Sequence, residues 1–428
     1  MLGLAGMSGC SDLPPSSTEP GLIPVSAQTF EVLLPLASFA TDVRVDGGFG
    51  HPSQVETAFL GYDEASGDRA VGLVEYDGFL RVISYLPQGA SVEVADSLWV
   101  PIGGDLLLFL DSARVAGIEP FQLVAERVIE PFDYRTATWT MAKDTLGGRV
   151  PWTVPGGGAL ESMGSAEWMP SVTDTVRISF DSIQATRLVR SEAGALAVRI
   201  RSDSDGSQIR LRGVDMEVRV RPSQHPEQVV TIRPFADRQT FISSAAAPTS
   251  SDTRLYVGGA PAYRSSFRFQ LPPTVPAPAS ACGGVSPCTV PLTAGTVVYA
   301  GIELRSSPQP SRLLAPADTM TLEIRPVLAP DLLPKSPLGP PIQIFGRRVP
   351  PSAFQGEGGN LVEIPVTRFL RDLLVGEDFR GNPVPFAVAF LAAPEPSGLG
   401  VTSFAGPGSP NAPVLRLILT RSPGVNLR

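Results

Sequence analysis

The stretch IRLRGVDMEVRVR, Ile209 to Arg221, alternates apolar and charged residues at period two. That is the pattern of a half-buried antiparallel strand, with one face packed and the other wet. Its apolar phase runs Ile209, Leu211 and then moves by one place to Val214, Met216, Val218 and Val220. Gly213 stands at the slip, so a bulge or strand break is predicted there. The same alternation recurs elsewhere. FRFQL sets Phe267, Phe269 and Leu271 against Arg268 and Gln270, and TMTLEIR sets Met320, Leu322 and Ile324 against Thr321 and Glu323. Asp46-Gly47, Asp77-Gly78 and Asp205-Gly206 lie between strand-like runs, and Asp-Gly suits the positive φ values of hairpin turns. Helix is scarce. The best candidate is VTRFLRDLLVGED, with Phe369, Leu370, Leu373 and Leu374 at helical spacing, Thr367 as its cap and Gly376 as its stop.

That short helix exposes an internal repeat. VRISFDSIQATRLVRSEAGALAVRI, Val176 to Ile200, is followed by a Gly-containing turn and VDMEVRVRPS. VEIPVTRFLRDLLVGEDFRGNPVPFAVAF, Val362 to Phe390, is followed by a Gly-containing loop and APVLRLILTRSP. Each copy reads strand, short helix, strand, loop and a closing strand that ends in Arg and Pro. The fold expected is all-β: two tandem antiparallel β-sandwich, jelly-roll-like domains with one or two very short helices. The first domain is placed at 28–244 and the second at 245–428, with the junction near SAAAPTSS at 244–252.

Composition agrees with a large packed core. The chain has 428 residues and 43% hydrophobic content, enough for two or three domains. Gly 42 and Pro 44 are about a fifth of the chain, below the level of a low-complexity sequence, and they imply many turns. Net charge is -8, with acidic and basic residues interspersed. No basic stripe is present to neutralise phosphates, so nucleic acid is not an expected partner. Lysine occurs only at Lys143 and Lys335, a bias of coding composition rather than a designed anion site.

The N-terminus sets the expected compartment. Leu2 to Met7 is a short apolar run, Ser8 and Gly9 are small, and Cys10 follows. The stretch resembles the end of a bacterial lipoprotein signal with its lipobox, although Met7 stands where that family prefers Leu and no Lys or Arg lies upstream. The resemblance implies that residues 1–9 are a truncated signal remnant, that lipid is attached at Cys10, and that the chain meets a membrane through that lipid. Ser11 rather than Asp after the cysteine is similar to the outer-membrane class, which implies an outer-membrane lipoprotein or cell-surface location. Residues 10–27 then form a lipidated tether, because SDLPPSSTEPGLIPV offers little apolar surface and its prolines fix φ. No later run approaches 18 uninterrupted apolar residues, the length of a spanning helix.

The two halves also resemble DNRLRE-type jelly-roll sandwiches of bacterial surface proteins, relatives in shape of carbohydrate-binding modules. The residues behind this are TATWT around Trp139, VTDTVRISF from Val172 and the closing PVLRLIL. The resemblance spans 70–222 and, more loosely, 255–421, and leaves 28–70 unexplained. It implies an eight-stranded, two-sheet jelly roll in each half.

Little chemistry announces itself. Cys282 and Cys288, in ACGGVSPC, read as a disulfide closing a surface loop in an exported protein. A metal site would need His or carboxylate partners, and His51 and His225 each sit in a Pro-flanked polar loop without one. Asp203 and Asp205 before Gly206 imitate the start of a calcium loop, but Gln208 and Val214 stand where a Gly and a bidentate Glu are required. Serine-elbow, zinc-helix, phosphate-loop and dinucleotide motifs are all missing. A paired-carboxylate glycoside hydrolase leaves no local motif and is the distant alternative. For a carbohydrate-binding module, Trp152 and Trp168 border Pro- and Gly-rich loops and are the candidate glycan contacts, whereas Trp99 and Trp139 sit in strand-like runs and are expected in the core. The expectation is therefore a non-catalytic, lipid-anchored envelope protein with a structural, adhesion or assembly role. Its partners would be envelope proteins or polysaccharide, and no cofactor or metal is expected.

Overall fold

The computed structural model describes residues 28–111, 119–190, 196–245, 253–307, 311–354 and 359–421. Cys10, the tether to residue 27 and most of the 244–252 junction lie outside the described residues.

The chain is all-β, with three short α-helices among the described residues, α1 (Leu36–Phe39), α2 (Ser182–Val189) and α3 (Thr367–Val375). It opens with β1 (Gln28–Pro35), β2 (Ala40–Phe49), β3 (Ala58–Asp63), β4 (Asp68–Tyr76), β5 (Ile83–Tyr85), β6 (Val94–Asp96) and β7 (Val100–Leu110). Next come β8 (Phe121–Val128), β9 (Met141–Lys143), β10 (Val150–Pro151), β11 (Leu160–Trp168), β12 (Thr175–Phe180), β13 (Leu196–Ser202) and β14 (Ser207–Arg221). The second half holds β15 (Val230–Ile232), β16 (Ala236–Ser243), β17 (Leu255–Gly259), β18 (Ala262–Phe269), β19 (Thr274–Ala277), β20 (Cys288–Pro291) and β21 (Val297–Ser307). It closes with β22 (Met320–Pro326), β23 (Arg347–Val349), β24 (Leu361–Pro365), β25 (Ala387–Ala393), β26 (Val401–Phe404) and β27 (Val414–Arg421).

Among the described residues two large sheets result, one of 10 strands and one of 11. In the first, the order is β11-β8-β13-β4-β3-β14-β7-β12, with β16 beside β4 and β15 beside β14. In the second, the order is β1-β27-β21-β26-β17-β18-β25-β22-β23, with β2 beside β18 and β24 beside β21. Each sheet buries a hydrophobic core of its own. The alternating residues face as expected: Ile209, Leu211, Val214, Met216, Val218 and Val220 are buried in the first core, and Phe267, Leu322 and Ile324 in the second. The predicted slip is present, because the pairing of β14 with β7 shifts between Leu211 and Gly213. In the second half the same place is opened into the loop 405–413 between β26 and β27, and both of these strands pair with β21.

The repeat is thus structural. β12, α2 and β13 correspond to β24, α3 and β25, and the small β5–β6 sheet before β7 corresponds to the β19–β20 sheet before β21. α2 begins with a capping box, since Asp181 accepts from the Gln184 N–H and Gln184 returns the bond to the Asp181 N–H. α3 ends at Gly376 in the left-handed region, as expected. Thr367 does not cap it. Its hydroxyl instead bridges the Ala300 N–H and carbonyl, which ties the helix to β21.

Two further expectations fail. The first unit does not start at residue 28, because β1 pairs along its whole length with β27, from Gln28 opposite Arg421 to Pro35 opposite Val414, and β2 pairs with β18. Phe39 between them is 0% exposed and packs on Phe267 and Phe269 of the second core. The pair β1–β2 therefore completes the second unit, whereas β15–β16 completes the first. The Asp-Gly pairs also do not make hairpins between neighbours. Asp46-Gly47 lies inside β2, Asp77-Gly78 leads away from β4, and Asp205-Gly206 joins β13 to β14, which are separated by β4 and β3. Burial of the flanking apolar faces fixes strand order more strongly than a favourable dipeptide does.

Candidate functional site between the two units

The polar residues worth following converge where the two units meet. After β21 the chain makes a tight turn at 311–314 that pushes Arg312 and Leu313 of the second unit into the first. Leu313 is 2% exposed inside the first core, directly against Gly61, where a Cβ would collide with its methyl group. Leu399 enters the same core from the 394–400 loop. Gln208 secures the turn by donating to the Leu313 carbonyl at 2.9 Å and to the Ala315 carbonyl at 3.0 Å.

Beside this apolar knob lies an arginine held between two aspartates. Arg312 donates from Nε and Nη2 to Asp63 Oδ1 at 3.0 and 2.9 Å, and from Nη2 to Asp205 at 2.8 Å. Its backbone N–H donates to Asp63 Oδ2 at 2.9 Å, and Ser66 adds a fourth bond. Asp63 is only 2% exposed. Burial by itself would raise its pKa, but the backbone N–H and guanidinium of Arg312 and the Ser66 hydroxyl outweigh it and hold the carboxyl below its ordinary value. Asp205 is held low by the Glu64 N–H first and by Arg312 second, and Arg312 is raised in return, by Asp205 and then Asp63.

On the other side of the knob is a cleft of about 800 Å³. Residues 54–57, Phe59, Gln208 and Arg210 line it from the first unit, and residues 316–321, 392–397, Leu399 and Gly400 from the second. Arg210 lies over the Phe59 ring and pairs with Asp318, while Arg264 grips Glu395 with Nε at 3.0 Å from both carboxylate oxygens. Gly398, at φ +98°, sits against Phe59, where any Cβ would be 2.7 Å from the ring. The cleft thus offers hydroxyls, carbonyls and ion-paired carboxylates. Such groups can hold a polar ligand by hydrogen bonds.

The residues chosen from sequence fall elsewhere. Trp168 is 0% exposed, packed at a tilt against Phe121, with its indole N–H donating to the Thr173 carbonyl at 2.7 Å. Trp152 is 5% exposed and bonded to the Thr138 carbonyl at 2.9 Å. Neither presents a face to a glycan, which corrects their reading as contacts. The expected order is in fact inverted, because Trp99 and Trp139 are the half-buried pair. A tryptophan at a strand end beside a Gly-rich loop can turn inward and cap the core while the loop carbonyl satisfies its N–H. Cys282 and Cys288 do lie at disulfide distance, with Cα atoms 5.9 Å apart on the β19–β20 hairpin. Asp203 is taken up by Arg69 and Arg201, and Asp205 by Arg312. Among the described residues, no group of three or more His, Cys, Asp or Glu side chains is arranged to hold a metal.

Asp63, Gln208, Arg210, Arg312, Leu313 and Asp318 were not found from sequence, because each partnership spans more than a hundred positions. The one local hint was Asp205, which stood out for a calcium pattern that it did not complete. No family model, no curated protein and no solved structure matches this chain.

Proposed function

We propose that this is a non-catalytic protein of the bacterial cell envelope, held at the outer membrane or cell surface by lipid on Cys10, with a structural, adhesion or assembly role. The observation that carries the proposal is the joint between the units. A buried aspartate, the arginine between two carboxylates and a leucine knob join the two sandwiches to one another. Small ligand-binding modules on flexible linkers lack such a joint, since inter-domain contacts are by default weak and mobile. Among the described residues no helix is long and apolar enough to cross a membrane, which is compatible with attachment through acyl chains. The DNRLRE-like resemblance points the same way. A glycan-binding module is the rival reading, and with Trp152 and Trp168 buried it would have to rely on the polar cleft rather than on aromatic stacking. Membrane fractionation tests the proposal: Cys10→Ser should move the protein from the membrane to the soluble fraction, and continued membrane association would overturn the anchor.

A further inference from the structure

The placement of the two strand pairs is reciprocal. Each half of the chain opens with a pair, β1–β2 or β15–β16, and runs on through a body, β3 to β14 or β17 to β27. β1 docks on β27 and β2 on β18, whereas β15 docks on β14 and β16 on β4. β14 and β27 are equivalent strands of the repeat, and so are β4 and β18. Each half therefore donates its opening pair to the body of the other. This is the topology of a strand-exchanged dimer written into one polypeptide.

The two pairs differ in how they are tied. β15–β16 is continuous with the fold on both sides, with β14 before it and β17 after it. β1–β2 is joined to the rest of the described fold only through residues 50–57, a stretch with Gly50 at φ +69° and one 3-10 turn at Pro52–Gln54. Its contacts are made to the second body: the eight-residue ladder on β27, Val32, Leu34 and Phe39 in the second core, and the ion pairs of Glu31 with Arg416 and Asp42 with Arg268. None of these contacts depends on which copy of the chain supplies the pair.

We propose that β1–β2 is an exchangeable donor, that the second body is its acceptor, and that the partner this acceptor fits is the β1–β2 segment of a second copy of the chain. Exchange conserves the contacts of the pair with its acceptor and re-routes 50–57, which runs along the cleft between the units, so the cost lies in association, in the hinge and in accommodating the joint. The competing closure within one chain is favoured by an effective concentration of order mM for a short connector, so at about 0.1 mM protein roughly a tenth of chains should exchange.

Thr29 and Thr420 provide the test, because they face each other on β1 and β27 with hydroxyl oxygens 3.0 Å apart. In a Cys10→Ser background, the double variant Thr29→Cys/Thr420→Cys should oxidise within one chain at low concentration. Full-length Thr29→Cys and Thr420→Cys copies, unfolded, mixed, refolded together at about 0.1 mM and oxidised, should give a disulfide-linked heterodimer. Its yield should rise with concentration and exceed by about tenfold that of Thr29→Cys mixed with the exposed-site variant Ser91→Cys. Heterodimer no more abundant than in that control would overturn the exchange, and a double variant that fails to close on itself would overturn the pairing beneath it.

Discussion

Replacing Arg312 by Ala asks how far the two sandwiches depend on one side chain. The guanidinium makes two charged hydrogen bonds to Asp63, at 3.0 and 2.9 Å, and its loss leaves a carboxylate that is 2% exposed with the Arg312 N–H and nearby serine hydroxyls as partners. Removing one member of a buried ion pair costs about 3–5 kcal/mol. The Arg312 side chain is itself 59% exposed, so water reclaims part of that and about 2 kcal/mol is expected. At about 2–4 °C per kcal/mol for units of this size, calorimetry should show the melting transition lowered by about 4–8 °C. The pH dependence carries the sharper signature. Asp63 and Asp205 are both held below their ordinary values, so their contribution is present above the unfolded value near 3.8 and is lost as pH falls through the lower folded values. In Arg312→Ala the burial of Asp63 goes unopposed by the guanidinium, and acid unfolding should begin at higher pH. Arg312→Lys should recover part of the loss through its charge without the forked geometry. A variant that melts within about 1 °C of the parent, with a superimposable acid limb, would refute the assignment of this arginine as the coupling element.

Trp168→Ala should destabilise the first unit by about 3–5 kcal/mol, because a fully buried ring and its hydrogen bond to Thr173 are removed; chemical denaturation measures it, and a loss near zero would mean that the ring is not in the core. His51 lies in the 50–57 connector, and burial lowers its pKa, so the folded state favours the neutral ring. Its contribution should be full above the unfolded value near 6.5 and should fade as pH drops through it, and His51→Gln should flatten the dependence of the urea midpoint between about pH 7.5 and about pH 5.

The strands were legible because their information is local. The alternation in Ile209–Arg221, the slip at Gly213 and the helix stop at Gly376 each follow from which face a residue must bury or which φ it must adopt, and the structure carries all three. The repeat was legible for the same reason, as a succession of such elements. Trp152 and Trp168 were misread because exposure beside a loop depends on whether a carbonyl elsewhere accepts the indole N–H, which local composition does not encode.

Local patterns carry the all-β class, the doubled plan and the disulfide pair, since period-two burial and close cysteine spacing operate within a few residues. Which half owns each strand pair, and where the polar groups meet, depends on long-range packing. β1 finds β27 and Asp63 finds Arg312 across most of the chain. Those choices are made by the free edges of folded sheets and by the desolvation of a single carboxylate, and neither exists until the sheets themselves have formed.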